Sequence, residues 1–134
     1  MKISMLLLAV LMVGCRVEQT SIPARNDGSL IGSYYRGDGT GYNVYLDLLA
    51  NGTYTAKLFG CLGEYGTARG TWTTADDRIV LSPSDETDMM KGHLRELHIV
   101  KHKGQTVFVP DLRDDYYRKY GADECAAFHR QTKQ

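Results

Sequence analysis

Asn51-Gly52 separates two runs in which apolar side chains recur at every second position, a rhythm that a helix cannot satisfy. Tyr42, Val44, Leu46 and Leu48 precede it; Tyr54, Ala56 and Leu58 follow it. A period of two places each set on one face of a strand. The connection then decides the register. A two-residue Asn-Gly turn pairs Leu49 with Tyr54 and leaves Leu46 opposite Lys57, which splits the apolar set between two faces. A three-residue loop, with Gly52 in the left-handed region, pairs Leu48 with Tyr54, Leu46 with Ala56 and Val44 with Leu58. Only the second keeps every apolar residue on one side, so a type I turn with a G1 bulge is expected.

The same short rhythm recurs along the chain between Gly-bearing turns. Strands are expected at Leu30 to Tyr35, Tyr42 to Leu49, Thr53 to Leu62, Tyr65 to Thr74, Arg78 to Ser82, His93 to His102 and Thr106 to Val109, with a polar loop from Pro83 to Gly92. Helix signals arise only after Pro110. Asp111 and Asp114 form an imperfect capping box; Leu112, Tyr116 and Tyr120 share a face, and Gly121 stops the turn. A second helical stretch over Asp123 to Arg130 is expected to present Cys125 to the sheet. The fold class is therefore mainly β. An antiparallel meander of about seven or eight strands closes into a small barrel, because closure removes sticky edges. The terminal helix plugs an end or covers the seam. A barrel of this size is either filled by side chains or holds one small ligand.

The N-terminus carries a different signal. Lys2 is followed by an apolar run from Ile3 to Val13, broken only by Ser4 and too short to span a bilayer. Met12-Val13-Gly14-Cys15 follows, and it resembles the bacterial lipobox. That resemblance implies cleavage after Gly14 and lipidation of the Cys15 thiol, and with Arg16 behind it the same resemblance implies sorting to the outer membrane in a Gram-negative host. An acylated cysteine carries more than one chain, so the anchor is stable. An ordinary secretory signal, cut elsewhere, is the competing reading. Residues 1–14 are then signal peptide, 15–28 a tether without periodicity, and 29–134 a single β-domain.

With Cys15 modified, Cys61 and Cys125 remain as an even pair in an oxidising compartment, so a disulfide between them is expected. It would close a loop of roughly 65 residues, worth on the order of 4 kcal/mol. Two buried thiols are the alternative. Lys plus Arg and Asp plus Glu number 16 each, so no basic excess exists to follow a phosphate backbone, and nucleic acid is not an expected partner.

A wider pattern joins the hairpins: Leu46-x-Leu48-x-x-Asn51-Gly52-Thr53-Tyr54-Thr55, then Gly70-Thr71-Trp72, Ile79-x-Leu81-x-Pro83 and Val107-Phe108-Val109-Pro110. Over roughly residues 30–110 it resembles the small lipocalin-like β-domain of bacterial lipoproteins, and is similar to the N-terminal domain of the NlpE family of copper-homeostasis and envelope-stress lipoproteins. These are hairpin motifs, which imply a fold rather than an activity. The Cys-x-x-Cys motif of that family is missing here, so no metal or redox role is carried over.

Few residues point to chemistry. His98 and His102 share a strand face roughly 13 Å apart, too far to chelate together. His93 and His129 complete the histidines, and Asp88-Met89-Met90-Lys91-Gly92-His93 mixes soft and imidazole donors. A solvated loop and surface histidines, common on any polar face, explain both features, and neither a metal nor a cofactor is assigned. No serine stands in a nucleophile-elbow context, so the chain is not read as an enzyme. Gly37-Asp38-Gly39-Thr40-Gly41 lacks the lysine and following helix of a phosphate loop and reads as an inter-strand loop. The composition is rich in tyrosine, with nine residues. Alternation turns Tyr45 outward, and Trp72 reads as core or pocket lining.

These features suggest a monomeric, lipid-anchored module of the bacterial envelope, facing the periplasm, that binds a small apolar ligand or an envelope protein without catalysis. An open interior lined by Val44, Leu46, Tyr54, Leu58 and Trp72 would mark a ligand binder. The same positions packed solid, with an apolar patch outside, would mark a structural subunit docking to an outer-membrane assembly. Lysozyme-inhibitor and metal-binding lipoproteins are further alternatives, though no Ser-Gly-x-x-Tyr inhibitory loop is present.

Overall fold

The computed structural model describes residues 28–132. The lipidation site Cys15, the signal segment and most of the tether therefore lie outside the described residues. The strands are β1 (Gly32–Gly37), β2 (Asn43–Leu48), β3 (Thr53–Gly60), β4 (Gly63–Ala75), β5 (Arg78–Glu86), β6 (Glu96–His102), β7 (Gln105–Val109) and β8 (His129–Arg130), with one helix, α1 (Asp115–Tyr120). They form one antiparallel sheet in the order β7-β6-β5-β4-β3-β2-β1-β8, a nearly closed barrel.

The β2–β3 hairpin has the register that apolar sorting requires: Leu48 opposite Tyr54, Leu46 opposite Ala56 and Val44 opposite Leu58. Gly52 takes φ 80°, its N–H donates to the Leu49 carbonyl at 3.1 Å, and Leu49 N–H donates to the Thr53 carbonyl at 2.9 Å. Those bonds make the three-residue loop with its bulge.

Closure depends on the C-terminus. Phe128 exchanges both backbone hydrogen bonds with Phe108 of β7, at 3.1 and 2.8 Å, and the next residues pair with β1 as Tyr35↔His129 and Tyr34↔Arg130. A short extended run thus joins the two edges that would otherwise stand open. This displaces the expected second helix over Asp123 to Arg130. Asp123 permits one turn only, its Oδ1 accepting from the N–H groups of Cys125 and Ala126 at 3.0 Å each, before the chain straightens. Satisfying two strand edges outweighs the weak helical tendency of this stretch.

The expected polar loop over Pro83 to Gly92 also differs. β5 continues to Glu86 with a register shift against Arg69/Gly70, which accommodates Pro83 without breaking the ladder. Gly70 is required there, since a Cβ would lie 2.1 Å from the Ser82 carbonyl oxygen. The following turn (Asp88–Met90) drops Met90 into the core, and Leu94 is buried behind it. Met90 and Leu94 therefore join the main core, whereas α1 was expected to plug an end or cover the seam. α1 buries none of its residues. The segment behind it does the covering: Ala122 and Ala127 pack on Val107 and Val109 to form a small second core.

Candidate functional site

The barrel interior was the expected ligand site, and it is full. Val44, Leu46 and Leu58 are 0% exposed and Tyr54 and Trp72 1%, all in one cluster with Leu48, Ile79, Leu97, Phe108 and Phe128. The five positions do meet on one face, as alternation requires, but they touch side chains rather than space. The reason is supply: Met90 and Leu94 from one side and Phe108 and Phe128 from the seam complete a close-packed core. Within it the Tyr54 hydroxyl is buried without a hydrogen-bond partner. Burial is the main cause that raises its pKa, with Glu86 adding to the effect and Arg95 opposing it.

Cys61 and Cys125 are free thiols in the structure, so the expected bridge is not formed. The β1–β2 loop stands between them. Cys61, exposed at the β3–β4 turn, donates from Sγ to the Thr40 carbonyl at 3.4 Å; Cys125 donates to the Gly37 carbonyl at 3.8 Å. That loop is well held. Asp38 Oδ1 accepts from the N–H groups of Thr40, Gly41 and Tyr42 at 2.8, 2.9 and 3.2 Å, and these bonds lower its pKa, against a smaller opposing effect of desolvation. Beside Cys125, Tyr116 donates to Asp123 Oδ2 at 2.8 Å, and the bonds to Asp123 and then Cys125 raise the phenol's pKa well above its ordinary range.

The histidines divide. His93 lies in the turn before β6 rather than in the strand, and its Nε2 is hydrogen-bonded to the Tyr42 hydroxyl. Desolvation, then the Arg36 charge, lowers its pKa. His98 and His102 lie on β6 as expected, and His102 meets His129 edge-on with centroids 6.1 Å apart. Among the described residues no group of three or more His, Cys, Asp or Glu side chains is arranged to hold a metal ion.

What stands outside the barrel is aromatic. Tyr35 and Tyr45 are direct cross-strand partners on β1 and β2, with ring centroids 5.2 Å apart. Phe59 on β3 meets Tyr45 edge-on at 5.8 Å. Tyr45, 39% exposed, is the centre of this row and the most accessible of the three. Tyr35 is fixed by donating to Asn43 Oδ1 at 2.6 Å, and the Gly39 N–H donates to both oxygens. Alternation identified Tyr45; the row itself depends on register and so was not visible in any one strand. No family model, curated protein or solved structure matches this chain.

Proposed function

We propose that this protein is a lipid-anchored lipoprotein of the bacterial envelope that works without catalysis, as an interaction module docking to another envelope protein. One observation carries the choice of docking over ligand storage: Val44, Leu46, Tyr54, Leu58 and Trp72 are buried in a packed core, while Tyr35, Tyr45 and Phe59 form an aromatic row outside. Tyrosine suits such a face, because it offers apolar area with a polar tip at little conformational cost. The lipobox-like Met12-Val13-Gly14-Cys15 supports attachment at the outer membrane, facing the periplasm.

Photo-crosslinking in the native host tests the docking. A benzophenone amino acid at Tyr45 is expected to give a discrete protein adduct, and the same group at Lys101, exposed on β6, is not. Equal adducts at both positions, or none at Tyr45, would remove the proposal. Cys15→Ser tests the anchor separately, with loss of lipid labelling and release from membranes as the expected result.

A further inference from the structure

We propose that a recess at the end of the barrel where the described chain enters and leaves is a binding site for an amphipathic acyl anion, an acyl chain next to a carboxylate or phosphate. The recess is a half-open depression of about 710 Å³ lined by Ile31, Gly32, Leu49, Ala50 and Arg130, among others. That volume lies within the range of roughly 300–1,000 Å³ common to small-ligand sites. Its two kinds of wall are set by the fold. The Leu49 carbonyl is held by Gly52 N–H and by the Trp72 indole, and the Leu49 side chain, 42% exposed, stands outside the core. Ile31 and Ala50 extend the apolar side.

The charged wall is Arg130. Its Nη1 donates to the Ile31 carbonyl at 3.0 Å, and its Nη2 donates to the Ser29 carbonyl at 2.6 Å and the Tyr34 hydroxyl at 2.8 Å. Every one of these acceptors is neutral, and among the described residues no carboxylate pairs with Arg130. The guanidinium has more N–H donors than these bonds use. Gly32 is what lets it lie flat across β1, since a Cβ there would stand 2.9 Å from Nη1. A planar cation held by neutral acceptors among the described residues, beside apolar walls, matches an anionic head joined to a chain. The site depends neither on the aromatic row nor on lipidation of Cys15.

The test uses the full chain in a phosphatidylcholine nanodisc, with octanoate as probe and octanol as its neutral counterpart. NMR follows the Arg130 Nε–H and Leu49 methyl signals. Octanoate is expected to shift both, saturating at one molecule per chain and binding at least ~10-fold tighter than octanol. Arg130→Gln should abolish that preference. Because Arg130 also ties down strand ends, Leu49→Ser at an exposed position is the second variant; it should keep the parent amide spectrum and weaken octanoate about 5-fold. Equal binding of octanol, shifts elsewhere on the molecule, or parent-like octanoate affinity in both variants would overturn the proposal. Replacing the nanodisc lipid by phosphatidylglycerol separates the sources. Displacement of octanoate by that lipid assigns the membrane headgroup, and undiminished octanoate binding assigns a free acyl acid.

Discussion

The Trp72 indole nitrogen donates to the Leu49 carbonyl at 3.0 Å, and the Trp72 backbone N–H donates to the Gly52 carbonyl at 2.9 Å. One residue of β4 thus holds both ends of the loop that sets the β2–β3 register. Trp72→Phe removes the indole donor, leaves the Leu49 carbonyl short of a partner and opens space in the core. A loss of about 2–4 kcal/mol is expected, read as a fall in the urea midpoint at unchanged slope. A change below about 1 kcal/mol would show that the loop holds without this clamp.

Two buried tyrosines should respond in opposite directions to the same substitution. Tyr34 donates to the Leu30 carbonyl at 2.7 Å and accepts from Arg130, whereas the Tyr54 hydroxyl has no partner. Tyr34→Phe is expected to cost about 1–3 kcal/mol, and Tyr54→Phe to be neutral or stabilising by up to about 1 kcal/mol. Burial raises the pKa of Tyr54. The stability this reflects is fully present below the unfolded phenol value of about 10 and is lost as pH rises through the raised folded value. Thermal melts in alkali should therefore show Tyr54→Phe losing less stability than the parent. Equal losses would argue against burial of this hydroxyl.

Acid should act at the β1–β2 loop. Three backbone N–H groups bind Asp38 Oδ1 and lower its pKa. The loop order this supports is present above the ordinary carboxylate range of about 4 and is lost as pH falls through the depressed value. The Thr40 and Gly41 amide signals should thus titrate together at a pH below that of an unperturbed aspartate. Asp38→Asn keeps an acceptor at the same place and should abolish the titration while leaving the neutral-pH spectrum nearly unchanged. A titration that survives in Asp38→Asn assigns it to another group.

The barrel was legible because alternation is a local signal: one face of β2 and β3 fixes the register, and the register fixes the neighbours. The seam was not. β8 has two residues, too few to show a period, and Val107-Phe108-Val109 is apolar at each position because β7 is covered on both faces, by the main core and by Ala122 and Ala127. The interior face was likewise readable and its filling was not. Whether Val44, Leu46, Tyr54, Leu58 and Trp72 line a space depends on Met90 and Leu94, which arrive from a stretch whose polar composition reads as surface. The aromatic row and the Arg130 recess both join residues distant in sequence, as Ile31 and Arg130 illustrate, and pattern within a strand cannot report them.

The cysteines supply the sharpest check on that distinction. Counting them pairs Cys61 with Cys125, but counting has no access to the loop between. Cys61 Sγ reaches the Thr40 carbonyl within the loop, and Cys125 Sγ the Gly37 carbonyl at the end of β1 where the loop begins. Cys61 is exposed on a hairpin turn, while Cys125 is half-buried and its backbone carbonyl accepts from Arg36 Nε at 3.0 Å. Both should therefore alkylate without reductant. Access dominates thiol reactivity here, so Cys61 should react at least ~10-fold faster than Cys125. Peptide mapping after iodoacetamide at neutral pH reads the two rates directly. Recovery of a Cys61–Cys125 peptide pair in place of the two modified peptides would show that the loop yields and the bridge forms.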